Sequence, residues 1–461
     1  MSATRTTTGV VARWNNMPLY WRILIALIIG LLLGLILGPL AAMSAMPEQE
    51  FMKLNAFVKL AVALSTYALQ ALTGLSKVIL QLLGALAPPL ILIAVTHVLM
   101  TTEISGRTAR RLAKLLLLNT TVAILIGLGV ANVMKPGAWA KPVAAKQSEA
   151  SQTETAQAPH TAGKTQKPAV SPVELLVQNV PRSLLGPLGD QSNIIGVIFI
   201  AIAFGVGLRP VKDKEIRNVQ DVVEIAYSVL LKVLHWIIAL VPLGVLAVVA
   251  KVVALEGFGP FKAMGAFILA VLIALALQTL WYLIRIRLFS WVSPFEVLRQ
   301  MRDALVMAFS TDSSTATMPV TYACLKEKVG VREESASLGA LVGANFNNDG
   351  TALYEAMSAL FISQLIGQNL SLTQQLIVIL TSIIASVGAA GIPEAGLVTM
   401  TLVFTAVGLP VEYIALLLTV DWFLDRCRTT INVLGDVNVS CLLDGRTRQI
   451  VPVAVAESGS A

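Results

Sequence analysis

The chain has 461 residues, 56% of them hydrophobic and 13% charged, with a mean hydropathy of +0.76; a soluble protein carries about 25% charged residues. That balance excludes an ordinary soluble globular protein and reads as a polytopic membrane protein. The net charge of +7 reflects membrane topology rather than nucleic-acid binding, because Lys and Arg gather in short loops at the ends of apolar runs.

Arg5, Arg13 and Arg22 precede the first apolar run, Ile23–Pro47, which exceeds the hydrophobic region of a signal peptide and lacks a cleavage site, so it reads as a retained first span. Crossing about 30 Å of hydrocarbon takes roughly 17 to 25 helical residues. Further runs of that kind lie at Val78–Thr102, Leu115–Met134, Gln191–Leu208, Val233–Ala250 and Ala263–Ile284. Phe51–Leu72 is also apolar, but a crossing there would invert every later loop, so it is expected to be an extracytoplasmic or interfacial helix. Basic clusters at Arg107–Lys114, at Arg209–Arg217, and at Arg285, Arg287, Arg299 and Arg302 then all fall on the cytoplasmic side with the N-terminus. From Lys135 to Val170 the chain is poor in bulky apolar residues and reads as a disordered outer loop, whose five lysines translocate with it. His160 in that loop is a solvated side chain.

Beyond Arg302 the apolar runs are interrupted twice, by "FSTDSSTATMPVTYACL" and by "SIIASVGAAGIPEAGLV". Backbone that leaves the helix at membrane depth survives only where it faces protein, water or ligand. Paired interruptions in two parts of a chain point to a transporter with broken helices at its binding site; a Ser/Thr-rich packing surface is the plainer alternative. Between them, "GANFNNDGTALYEAMSALFISQLIG" places Asp349 and Glu355 in an otherwise uncharged helix. Asn347, Asn348, Asp349, Gly350 and Thr351 crowd oxygen atoms where Gly can open the backbone, which suits a hard cation; a buried interhelical hydrogen bond is the competing reading for Asp349. The last such segment, "DWFLDRCRTTINVLGD", carries five charges: Asp421, Asp425, Arg426, Arg428 and Asp436.

"SSTATMPVT" (Ser313–Thr321), "NNDGTALYEA" (Asn347–Ala356), "SVGAAGIPEAGLV" (Ser386–Val398) and "DWFLDRCRTTINVLGD" together resemble, in order, the glutamate transporter family of dicarboxylate/amino acid:cation symporters, acidic amino acid branch. The resemblance implies an all-α polytopic membrane fold of eight transmembrane helices and two re-entrant helical hairpins, with inverted repeats, assembled as a homotrimer in the bilayer of the cell (plasma or inner) membrane. Both termini are expected to be cytoplasmic. It divides the chain into N-terminal spans 1–3 (1–134), the outer loop (135–172), spans 4–6 (173–302), a transport core of hairpin 1, helix 7, hairpin 2 and helix 8 (303–443), and a cytoplasmic tail (444–461). Spans 1, 2, 4 and 5 would form a scaffold; spans 3 and 6 would travel with the core as an elevator.

Asp425, Arg428, Thr429 and Asn432 are spaced by three or four residues or adjacent to one that is, and share one helix face. By resemblance, Asp425 accepts the substrate's amino group and Arg428 grips its side-chain carboxylate through a planar fork, with Thr351, Thr429 and Asn432 completing the cradle. An internal Asp425–Arg428 ion pair at i, i+3 is the competing reading. Hairpin tips, Ser313, Ser314 and Thr315 in the first and Ala390–Gly396 in the second, with Ile392 and Gly396 as contacts, would offer backbone N–H groups to the other carboxylate. Glu394 reads as a solvated rim charge. The resemblance assigns Gly343, Asn347, Asn432 and Asp436 to one Na+ site, Asn119, Thr120, Asn347 and Asp349 to a second, and oxygens near Ser386, Val387 and Ala389 to a third. Asn348, Asn345 and Leu116 depart from the family's Met, Thr and Tyr, and leave the number of Na+ open. Glu355 matches the proton-carrying position of proton-coupled members, and burial favours the protonated form of a carboxylate. Potassium counter-transport is left open. Asp312 at the first tip and Arg426 are expected to form a state-dependent salt bridge.

The expected function is thus inward symport of L-glutamate or L-aspartate with Na+ and H+. Since "NFNND" also resembles proton-coupled bacterial members, purely proton-coupled glutamate or C4-dicarboxylate symport stays open, as does a substrate-gated anion channel. An intramembrane enzyme is disfavoured: there is no HExxH, no Ser or Cys paired with His, and His97 and His235 stand alone on apolar helices. Cys324, Cys427 and Cys441 show no metal-like spacing.

Overall fold

The computed structural model describes residues 14, 17–44, 46–101, 106–140, 183–184, 186, 194–211, 214–388 and 395–448. Every regular element among them is helical. The long helices are α1 (Leu19–Ser44), α2 (Ala56–Thr101), α3 (Gly106–Met134), α4 (Ile194–Leu208), α5 (Val219–Glu256) and α6 (Gly259–Phe289). Then follow α7 (Arg302–Thr311), α8 (Ser314–Ala323), α9 (Asp349–Leu365), α10 (Leu372–Gly388), α11 (Ala395–Ala406) and α12 (Ile414–Asp444). Trp21–Ser44, Ala56–Leu83, Thr108–Trp139, Val219–Leu255 and Gly259–Phe289 are the described segments long and apolar enough to cross a membrane. At 31 residues, α12 is about 46 Å long, but its charges set it apart from those five.

Two sequence expectations need correcting. The Phe51–Leu72 segment is not a helix of its own: Phe51 and Met52 end a short helix, Glu48–Met52, and from Ala56 α2 runs unbroken through the rest and through most of the expected second span, because Thr73–Lys77 between the two contains no Pro and a single Gly does not end a helix. Thr73 and Ser76 return their hydroxyls to the carbonyls of Leu69 (2.8 Å) and Thr73 (3.0 Å) instead of capping a break. Arg285, assigned to a loop, lies inside α6 and is buried, since α6 continues to Phe289.

Helix boundaries follow local chemistry. Asn218 and Asp221 form a reciprocal capping box that starts α5. At the first hairpin, Asp312 adopts the left-handed conformation (φ 57°) after α7, and Ser313 caps α8 by accepting from the Ala316 N–H at 3.1 Å. Two short helical pieces, Glu333–Ser337 and Gly343–Phe346, flank a wider π turn at Leu338–Val342 and lead to α9. The break before α9 falls at Asn347 and Asn348, not at Gly350, which is already helical.

α5 packs along α1 and α2, while α9 packs on α3, α6 on α12, α10 on α11, and α7 and α8 on α12. A stack of Tyr354, Phe267 and Phe361, with ring centroids 5.7 and 4.5 Å apart, joins α9 to α6 in the core. The C-terminal end of α12 is pinned: Arg111 donates to the Leu442 carbonyl at 2.7 Å, and Asp444 accepts from Arg332 (2.7 Å) and Trp291 (2.6 Å). Cations at a helix C-terminus also complement its dipole.

Candidate functional site

One face of α12 carries Asp421, Asp425, Arg428, Thr429, Asn432 and Asp436, all buried. Arg428 is completely buried, and its Nη2 lies 2.6 Å from Asp425 Oδ1 and 3.0 Å from Asp421 Oδ1. The guanidinium carbon sits 4.0 Å from the centre of the Tyr354 ring, a cation–π arrangement. Its Nε and Nη1 have no hydrogen-bond partner among the described residues. The Nη1 side faces the start of α11, where a Cβ built on Gly396 would lie 3.2 Å from Arg428 Nη1 and 3.2 Å from Thr351 Cγ2. The i, i+3 ion pair therefore forms, and it is one half of a carboxylate pair. Asp421 had no role in the sequence reading beyond a polar contact. Its place four residues before Asp425 and seven before Arg428 was the signal that it shares their face.

The first hairpin tip closes on this face. Thr429 Oγ1 donates to Asp312 Oδ1 at 3.3 Å, and Ser314 Oγ donates to the Ala344 carbonyl at 3.0 Å. Arg426 sends Nη1 to the carbonyls of Phe309 (2.9 Å) and Ser310 (2.7 Å), at the end of the half-helix that Asp312 terminates. Arg426 thus reaches the tip that carries Asp312, through backbone carbonyls. Ile392, Ala389 and Glu394 lie outside the described residues, as does most of the second tip.

Below the arginine, Asn432 joins α12 to the broken helix. Its Oδ1 accepts from the Gly350 N–H at 2.7 Å, its carbonyl accepts from Asn347 Nδ2 at 3.4 Å, and its Nδ2 points to Thr351 Oγ1 (3.4 Å) and Asn348 Oδ1 (3.5 Å). Asn347 Nδ2 also donates to Asp436 Oδ1 at 3.1 Å, while Asn347 Oδ1 is buried without a partner among the described residues. Gly343 completes this group: a Cβ there would collide with Asp436 Oδ1, at 2.3 Å. Gly343, Asn347, Asn432 and Asp436 are therefore brought together, with an orphaned amide oxygen and a carboxylate in one buried cluster. Oxygen donors of this kind suit a hard monovalent cation.

Asp349 forms a second cluster with α3 and α6. Thr120 Oγ1 donates to Asp349 Oδ1 at 2.6 Å, and the Tyr282 hydroxyl donates to Asp349 Oδ2. Asn119 is adjacent, and its side-chain oxygen accepts from Arg285. Tyr282 was not singled out in the sequence and Arg285 was read only as a loop charge, because the chemistry of α6 was hidden in an apolar run. Near the second hairpin, the Ser386 carbonyl accepts from Asn348 Nδ2 at 2.9 Å, which ties α10 to the break before α9. Glu355 is fully buried in α9; Thr399 of α11 donates to its Oε1, and its Oε2 has no partner among the described residues. No group of three or more His, Cys, Asp or Glu able to hold a metal occurs among the described residues.

The profile of the sodium:dicarboxylate symporter family matches residues 19–446. The chain is 39% identical over 259 residues to excitatory amino acid transporter 3 of Mus musculus (55% of this chain, 49% of that protein). It is 37% identical over 273 residues to excitatory amino acid transporter 4 of Mus musculus (58% and 48%) and 41% identical over 250 residues to an excitatory amino acid transporter of Caenorhabditis elegans (53% and 49%). The chain spans about half the length of these curated relatives. The four motifs, the buried polar face of α12 and a family match running from α1 to the end of α12 place this all-helical membrane protein in the sodium:dicarboxylate symporter family, a family of transporters and not of enzymes.

Proposed function

We propose that the chain is a secondary active symporter that carries L-aspartate or L-glutamate inward across the cell membrane with sodium and a proton. The observation that carries this reading is Arg428. It is a fully buried guanidinium with two donor nitrogens unpaired among the described residues, beside Asp425, on a face packed against the first hairpin's tip and the start of α11. Buried N–H donors left without an acceptor are costly; a planar fork with such donors fits a carboxylate bidentately. Asp425 supplies the acceptor for an ammonium group, and a substrate carrying both charges is an acidic amino acid. The names of the relatives, excitatory amino acid transporters, support the same class.

The first sodium is assigned to Gly343, Asn347, Asn432 and Asp436, and a further one to backbone oxygens at Ser386, Val387 and Ala389. Glu355 carries the proton: it is fully buried, and its one described partner is the neutral Thr399 hydroxyl. Asp312 and Arg426 act as a polar latch at the first hairpin. α1, α2, α4 and α5 form the scaffold, and α3, α6, the hairpins, α9 and α12 move as the elevator, a partition that the packing preferences support. The assembly is a homotrimer with cytoplasmic termini.

The test is uptake of labelled aspartate, glutamate, succinate and serine into proteoliposomes, with sodium and pH gradients imposed separately. Sodium-driven accumulation of aspartate or glutamate is expected, and Glu355→Gln should lose the response to a pH gradient. Accumulation of succinate alone refutes the role of Asp425; a pH response unchanged in Glu355→Gln refutes the role of Glu355.

A further inference from the structure

Arg285 is a buried cation that neither the substrate face nor the Asn347–Asp436 cluster uses. It lies one turn after Tyr282 on α6. Its Nη1 donates to the side-chain oxygen of Asn119, an oxygen that the family resemblance assigns to a second sodium ion. The neighbouring groups are also committed. Thr120 and Tyr282 direct their hydroxyls at the two oxygens of Asp349. Asn119 Nδ2 faces Asn438 Oδ1 at 3.5 Å, Asn438 Nδ2 donates to the Tyr282 carbonyl at 3.0 Å, and Gln278 Nε2 faces the Asn119 carbonyl at 3.5 Å. The adjacent pair Asn119 and Thr120 on α3 therefore links the guanidinium to the Asp349 carboxylate, which also accepts from Tyr282, one turn before Arg285 on α6.

A guanidinium has only donors and a permanent charge. An oxygen that accepts from it does not also ligate a metal ion at full strength, and a sodium ion beside it meets like-charge repulsion in a medium of low dielectric. We propose that Arg285 is a tethered cation that takes the place of the second sodium ion next to Asp349, so that transport is coupled to one sodium ion fewer than the motifs assign. The charge of Asp349 is then balanced from within the protein throughout the cycle. Two exchangeable sodium positions remain, at Asn347–Asp436 and near Ser386. The inference rests on sodium symport as proposed above, but not on the identity of the substrate.

By linkage, the slope of log substrate affinity against log sodium concentration counts the coupled ions. In the purified full-length protein, wild type is expected to give a slope of about two or less, Arg285→Met to steepen it by about one, and Arg285→Lys to keep the wild-type slope. Sodium-dependent protection against thermal unfolding, measured without substrate and against choline, should likewise grow in Arg285→Met. A wild-type slope of about three overturns the inference even if no variant folds. Equal slopes and equal sodium protection in wild type and a folded Arg285→Met overturn it too, and leave Arg285 a packing residue. Failure of aspartate and glutamate to bind at any sodium concentration refutes the substrate assignment instead, and the substrate-free unfolding comparison then decides the role of Arg285.

Discussion

Replacing Gly350 by Ala tests how closely the broken helix approaches the substrate helix. A Cβ built there lies 2.6 Å from the Arg428 carbonyl oxygen, 3.0 Å from its Cα and 3.1 Å from its carbonyl carbon. Unstrained carbon contacts need about 3.5 to 4.0 Å, and all three neighbours are backbone atoms of α12, so no side chain can swing aside. The helices must part by about 0.5 to 1 Å to reach that distance. Overpacking of this kind costs about 1–3 kcal/mol. Stretching the 2.7 Å bond from the Gly350 N–H to Asn432 costs up to about 1 kcal/mol more. Higher helix propensity returns about 1 kcal/mol. The net loss, up to about 3 kcal/mol, corresponds to up to about a 150-fold smaller folded-to-unfolded ratio. The assay is the thermal unfolding midpoint of the purified protein, together with affinity for labelled aspartate at saturating sodium. Gly265→Ala is the control, because a Cβ there meets nothing within 4 Å. If Gly350→Ala matches Gly265→Ala in both midpoint and affinity, the close approach of α9 and α12 is wrong.

Asp421→Asn leaves Arg428 with Asp425 as its one carboxylate partner on α12, so Asp425 is less free to turn to a substrate amino group. Aspartate affinity should fall about tenfold or more, and unchanged affinity in an equilibrium binding assay counts against the shared pair. Asn432→Ala should weaken aspartate binding and flatten its dependence on sodium, read from the same titration; a slope identical to wild type removes Asn432 from the coupling. Arg426→Ala frees the carbonyls of Phe309 and Ser310, so a cysteine placed at Ser310 should react faster with a soluble thiol reagent than in the Arg426 parent, whereas equal rates exclude the latch. The pH dependence of the first hairpin's base follows from Lys328, which lies 2.6 Å from Asp303 and holds that carboxyl below its usual range. A lowered folded-state value means stabilisation above the unfolded value of about 3.9, lost as pH falls through the lowered value. Thermal midpoints of wild type and Asp303→Asn should therefore differ at neutral pH and converge in acid; a constant difference at all pH values contradicts the pairing.

Spacing made the face of α12 legible: residues three and four apart on one helix must point the same way, and Asp425, Arg428, Thr429 and Asn432 do. What a face meets on another helix is not encoded in its spacing. Nothing near Tyr354 marks it as the ring under Arg428, and nothing near Tyr282 marks it as a donor to Asp349. Arg285 was misassigned because an arginine near the end of an apolar run has the same sequence signature whether it snorkels to the surface or turns inward. The unbroken α2 had a similar cause: a lone Gly and a Lys are weak stop signals, and with no Pro between Thr73 and Lys77 and the Thr73 and Ser76 hydroxyls turned back on the helix, it continues. The break before α9 was placed by a residue type, Gly, that permits open backbone. In the fold that glycine serves contact with Arg428, while Asn347 and Asn348 bear the interruption.

Asn432 explains why substrate and cation chemistry share one helix turn. Its side-chain oxygen holds the Gly350 N–H in the first turn of α9, its amide nitrogen faces Thr351 in the proposed substrate cradle, and its carbonyl faces the Asn347 amide that also contacts Asp436. A cation bound among Asn347, Asp436 and the Asn432 carbonyl would fix the break before α9, and with it the positions of Gly350 and Thr351. Substrate held by Thr351 and Arg428 would fix the same backbone from the other side. Each ligand then lowers the ordering cost of the other, and by linkage the effect must be reciprocal. A continuous helix has no such joint, since its backbone groups are already satisfied. The interruption at Asn347–Asn348 gives two clusters of buried polar groups a common, movable partner.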